Sequence, residues 1–193
     1  MNESELIKVL LVEDDEDDYV LTRGLFSEMK GRRFQLDWFK SYSLGLEAMA
    51  RNQHDVCLID YRLGAKNGIE LLREALERGC QAPIILLTGL GEHKVDVEAM
   101  KAGAADYLVK TGLRADSLER SIRYALERKR AAAIAAFEQA NLAALGTDVG
   151  LALTQRETLS GVLYRCADAM VRYLNVHLAQ IWIMDRSDNM LHL

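Results

Sequence analysis

Five side chains in this 193-residue sequence are of types that can work on phosphorus. Glu13 and Asp14 follow the apolar run ending at Val12, and Asp60 follows Val56–Ile59. Thr88 follows Ile84–Leu87, and Lys110 follows Asp106–Val109. Three carboxylates brought together repel one another, and a hard divalent cation relieves that repulsion. Mg2+ suits such a set, with Mn2+ as its substitute. Asp14, Glu13 and Asp60 would supply carboxylates, Arg62 a well-placed backbone carbonyl, and water the rest. Asp60 can then attack phosphorus, as carboxylates do when they form acyl phosphates. The metal and Lys110 would neutralise the transferring oxygens, and the Thr88 hydroxyl would donate to one of them. Singly, each residue has a plainer explanation. The acidic run ending at Asp18 favours a helix N-terminus, Thr88 precedes a turn at Gly89, and Lys110 could be a solvated charge. Suitable residue types at four strand ends outweigh the separate explanations.

The elements that must position them are legible as alternating patterns. Strands are expected at Ile7–Val12, Phe34–Phe39, Val56–Ile59, Ile84–Leu87 and Asp106–Val109. The first, third and fourth are continuously apolar, as strands covered on both faces of a parallel sheet tend to be. Helical spacing marks Glu16–Lys30, Ser43–Asn52, Gly68–Arg78 and 92–102. Five βα units in series predict an α/β doubly wound parallel sheet. Its strands point the same way, which brings all five side chains to the edge where such folds bind ligands.

Composition narrows the function. Net charge is −5 with Lys and Arg dispersed, which argues against a nucleic-acid partner. No apolar run approaches the roughly 20 residues that cross a bilayer, and MNESELIK lacks a signal peptide's features. No membrane partner is expected, and a reducing cytoplasm is the natural compartment. Cys57 and Cys166 lie in apolar runs and Cys80 follows Gly79 in a turn, without metal-ligand spacing.

VLLVEDDEDD, VCLIDYRLGAKNG, IILLTG and ADYLVK resemble, in order and at compatible spacing, the motifs of response-regulator receiver domains. The resemblance covers residues 6 to about 128. It implies a flavodoxin-like five-stranded sheet of order 2-1-3-4-5 and a histidine kinase or phosphotransfer protein as partner. It further implies Glu13 and Asp14 as the acidic pair, with Asp14 the more direct metal ligand, and Asp60 as phosphoacceptor. Thr88 becomes the switch hydroxyl, Tyr107 the switch aromatic and Lys110 the family's lysine. Two positions depart from the pattern. Thr111 follows the lysine where the family has proline in a cis bond. A cis bond before another residue costs roughly 2.5–4 kcal/mol, so this loop is expected to be trans or strained. Gly64 stands where many members carry proline, which would loosen the loop after Asp60.

A fifth helix should start near Arg114 and meet no Gly or Pro until Gly146. The residues divide into 1–128, a helical linker at 129–146, and 147–193. Ile134, Phe137, Leu142 and Leu145 suit a contact with a second copy or with the next domain, which makes a homodimer the expected assembly. Beyond a break at Gly146–Gly150, Thr154 and Glu157 have capping-box spacing and open a helix reaching about Leu174. A strand candidate, Leu178–Met184, a turn through Asp185–Asn189 and Met190–Leu193 follow. GLALTQRETLSGVLYRCADAMVRYLNVHLAQIWIMD resembles the first helix and strand of a GAF domain, so a partial α+β GAF fragment, cut short, is expected here. Two other functions compete with phosphoryl signalling. A phosphatase of the haloacid dehalogenase type needs an acid two residues after its nucleophile, and here that residue is Arg62. A non-phosphorylated module held as a dimer by its long helix is the other.

Overall fold

The computed structural model describes residues 6–30, 33–89, 93–154, 158–185 and 190–192. The chain divides into two compact units, Met1–Arg130 and Ala131–Leu193.

In the first unit, β1 (Leu6–Val12), β2 (Arg33–Phe39), β3 (Val56–Asp60), β6 (Ile84–Thr88) and β7 (Asp106–Val109) form one parallel sheet. Its order is β2-β1-β3-β6-β7. That is the 2-1-3-4-5 order expected, with two extra residue pairs, β4 (Arg62–Leu63) and β5 (Lys66–Asn67), interposed as a hairpin. Alternation within the apolar runs loads both faces. Leu10, Val12, Cys57, Ile59, Ile84 and Leu86 pack on one side with α2 (Tyr42–Ala50) and α3 (Gly68–Glu77). Val9, Leu11, Val56, Leu58, Ile85 and Leu87 pack on the other, with Leu118 and Ile122 of α5 (Ala115–Thr154) and partly buried residues of α1 (Glu16–Glu28). A strand buried on both faces must be apolar throughout, which is why these runs read so clearly.

Local signals set the helix starts. Asp15 caps α1 by accepting from the Asp17 and Asp18 backbone N–H groups. Asn67 and Glu70 form a reciprocal capping box at α3. The loop after Asp60 is a two-residue hairpin turn rather than a loosened segment. Gly64 has φ +62, and a first central residue with positive φ lets so short a connection match the strand twist. α4 spans His93–Ala102; residue 92, where that helix was expected to begin, lies outside the described residues. Cys80, expected in a turn, is buried, as are Cys57 and Cys166, and all three are free thiols.

In the second unit the expected break at Gly146–Gly150 does not occur. α5 continues through both glycines to Thr154. An interior glycine costs about 1 kcal/mol relative to alanine, too little to stop a helix rich in Ala and Leu. Thr154 is therefore the last residue of α5, its hydroxyl donating to the Leu151 carbonyl, and not a cap; Glu157 lies outside the described residues. Thr158 caps α6 (Leu159–Leu174) instead, and Asn175 ends it in a left-handed conformation, φ 53. Asp148 of α5 accepts from Arg172 and from the Tyr173 hydroxyl. The strand expected at Leu178–Met184 starts later: β8 is Ile183–Asp185, paired antiparallel with β9, Met190–His192. The turn expected at Asp185–Asn189 falls largely outside the described residues. No helix among the described residues is long and apolar enough to cross a membrane.

Candidate phosphoryl and metal site

The carboxyl ends of the central strands converge as expected. Glu13 leaves β1 with its N–H bonded to the Phe39 carbonyl at 3.1 Å. Asp60 is the last residue of β3 and Thr88 the last of β6; both are buried. Lys110 follows β7, its N–H donating to the Thr88 carbonyl at 2.8 Å. Glu13, Asp14 and Asp60 each offer a carboxylate oxygen within 4.8 Å of the others. Glu13 is sealed from solvent and Asp60 is 5% exposed, whereas Asp14 is open. This all-oxygen donor set, with one member facing water, fits a hard divalent cation that keeps part of its hydration.

Lys110 is the electrostatic hub. Its ammonium lies 2.6 Å from Asp60 Oδ1, 2.7 Å from Glu13 Oε2 and 2.6 Å from Asp18 Oδ2. Three N–H donors thus meet three carboxylates. Burial works against the charge of Lys110, but the bonds to Asp18, Asp60 and Glu13 outweigh it and hold the ammonium above the ordinary lysine range. Burial pushes Glu13 up to about 7 despite the opposing bond from Lys110. Burial likewise raises Asp60, opposed by Lys110 and by the Arg62 N–H, which donates to Oδ2 at 2.9 Å. Among the described residues, Lys110 thus meets one Asp60 oxygen and the Arg62 N–H the other, and a carboxylate oxygen that accepts one bond has a second lone pair. The Lys110–Thr111 bond is trans, and the lysine still reaches the cluster.

Other expected positions are placed as follows. Arg62 opens β4 and pairs with Asn67, which fixes the backbone just after Asp60. Tyr107, opposite Leu86 in the sheet register, is half-buried against the apolar cluster on the α2–α3 side. Three residues escaped the sequence reading. Asp18 was taken only as helix-terminal charge, although it is one turn after Asp14 on the helix that follows. Gly68 begins α3 so close to the end of β3 that a Cβ there would lie 2.3 Å from the Asp60 carbonyl oxygen. Trp38 donates its indole N–H to the Glu13 carbonyl at 2.8 Å. Neither of the last two carries a sequence signal, because each depends on contacts between distant segments.

The family model for the response regulator receiver domain matches residues 9–123. The chain belongs to that family. Receiver domains are signalling phosphoacceptor domains that bind Mg2+ at an acidic pocket and work with a histidine kinase or phosphotransfer partner. Among relatives, the transcriptional regulatory protein QseB of Escherichia coli O157:H7 is 32% identical over 104 residues, 54% of this chain and 46% of QseB. The photosynthetic apparatus regulatory protein RegA of Rhodobacter capsulatus is 38% identical over 102 residues, 53% of this chain and 54% of RegA. The matches thus span about half the length of those regulators. A receiver domain protein structure from Clostridium thermocellum superposes with TM-score 0.57 at 27% identity, covering 64% of this chain and 97% of that one.

Proposed function

We propose that Asp60 accepts a phosphoryl group, in a Mg2+-dependent reaction, from a histidine kinase or phosphotransfer protein. The supporting observation is the placement of a nearly buried Asp60 carboxylate between the Lys110 ammonium, 2.6 Å away, and the Glu13–Asp14 pair. An Asp60 oxygen forms a bond to phosphorus as the donor's phosphorus–nitrogen bond breaks, and the leaving imidazole takes up a proton. Glu13, Asp14, Asp60 and the Arg62 carbonyl would hold the metal, Mg2+ or Mn2+, which when bound neutralises charge on the transferring oxygens. Lys110 exchanges its Asp60 contact for a phosphoryl oxygen, and the Thr88 hydroxyl donates to another. Tyr107 then follows Thr88 inward, and α5 carries the change onward. The chemistry is single-turnover acceptance with slow self-hydrolysis, not metabolism of a substrate.

The second unit, in this reading, is the opening helix and hairpin of a GAF-like region that receives the signal, in a cytoplasmic homodimer joined through α5. The exposed Ile134, Phe137 and Leu142 on that helix favour such a contact. They equally favour a module that dimerises without phosphorylation. Oligomeric state with and without beryllofluoride separates the two: a change supports the switch, and constancy supports the static dimer.

The deciding experiment is acetyl phosphate treatment followed by Phos-tag electrophoresis. The wild-type chain shifts only with Mg2+ or Mn2+, and Asp60→Asn loses the shift entirely. A shifted Asp60→Asn band refutes the assignment.

A further inference from the structure

The geometry of the acidic loop depends on a residue of the neighbouring strand. β2 pairs with β1 so that Trp38 lies opposite Leu11, two residues before Glu13. Both backbone polar groups of Glu13 are tied to consecutive residues of β2. Its carbonyl accepts from the Trp38 indole at 2.8 Å, and its N–H donates to Phe39 at 3.1 Å. The indole itself is clamped. Tyr19 of α1 stacks on it with centroids 3.7 Å apart and planes 4° from parallel. Lys40 Nζ sits 4.4 Å from the indole centroid while pairing with Glu16 of α1 at 3.2 Å. Since Tyr19 fills one face, Lys40 takes the other. A ring held on both faces cannot swing its N–H away from the Glu13 carbonyl. Groups that orient metal ligands from behind are worth much of a site's affinity, because they fix ligand direction before the ion arrives.

We propose that Trp38 is a positioning residue for the Glu13–Asp14 pair, setting its affinity for Mg2+ through the Glu13 backbone. The proposal rests on the reading of that pair as metal ligands. It differs from a merely structural aromatic in what it controls: the ion's binding, and not the rate once the ion is bound.

The test is acetyl phosphate-driven phosphorylation of the full chain across a Mg2+ titration, for wild type, Trp38→Phe and Tyr19→Leu. Trp38→Phe keeps an aromatic ring and deletes the donor. Its half-saturating Mg2+ concentration is expected to rise about tenfold, the lower end of such effects, with the rate at saturating Mg2+ unchanged. Tyr19→Leu keeps the donor and removes one face of its clamp, so it lowers the urea midpoint and raises the half-saturating Mg2+ concentration by less than Trp38→Phe does. Unchanged half-saturation in Trp38→Phe, or equal shifts in both variants, overturns the role of Trp38 alone. A wild-type chain phosphorylated without metal overturns the site reading and this role together. A second measurement leaves Trp38 intact. The chain has two tryptophans, so Trp182→Phe leaves Trp38 as the sole tryptophan, excited selectively to the red of the tyrosine band. Its fluorescence should titrate with Mg2+ at the midpoint seen in phosphorylation, and emission indifferent to Mg2+ overturns the proposal.

Discussion

In the unit ending at Arg130, Leu10, Leu58, Leu72 and Leu86 are closed off from water by helices on both faces of the sheet. In the unit beginning at Ala131, the buried apolar residues among those described are Ala152, Cys166 and Ala169. Phe137 and Leu153 there are each 67% exposed and Tyr164 is 74% exposed. The first unit is ordered by burial, at about 25 cal/mol per Å2 of apolar surface. The second is ordered by helical hydrogen bonds, caps and a few polar ties such as Arg172 and Tyr173 to Asp148. Chemistry that needs side chains held to a fraction of an ångström belongs on the first kind of scaffold. That is where the carboxylates and Lys110 are found.

Four substitutions sharpen this contrast, the first two taken as a pair across the units and the others following in decreasing order of effect. Leu58→Ala in the sealed sheet should destabilise by about 2–5 kcal/mol in urea unfolding. Leu153→Ala on α5 should stay within about 0.5 kcal/mol. Equal costs would break the distinction between the units. Gly68→Ala should cost about 1–3 kcal/mol, because the new methyl group meets the Asp60 carbonyl and must push α3 or β3 aside. The same variant should slow phosphorylation of Asp60, measured from the same acetyl phosphate time course. Gly146→Ala should stabilise the second unit by about 0.5–1 kcal/mol, since a Cβ there meets open space inside a continuous helix. A loss of stability would show that the chain does break at Gly146.

β1, β3 and β6 were legible because their apolar runs are buried on both faces, and the converging cluster because those strands and β7 lead into residues of distinctive chemistry. The hairpin at Arg62–Asn67 was not legible, because two pairs of residues leave no periodic trace. The end of α5 was misplaced because Gly reads as punctuation in a sequence but costs only a fraction of what a long Ala- and Leu-rich helix gains around it. Asp18 was visible as a charge and invisible as a partner for Lys110, since a contact across 92 residues is set by the fold. Gly68 and Trp38 belong to the same class. Sequence showed the candidate groups for the chemistry and hid most of those that aim them.

The three-way embrace of Lys110 bears on how the molecule is assembled. Acids crowded at a strand edge would ordinarily hinder closure of the sheet until an ion came to screen them. Here the chain brings its own cation to that place, carried on a neighbouring strand end. The domain can therefore close around its own charge, and on the proposed reading metal and donor would meet a sheet edge that is already folded.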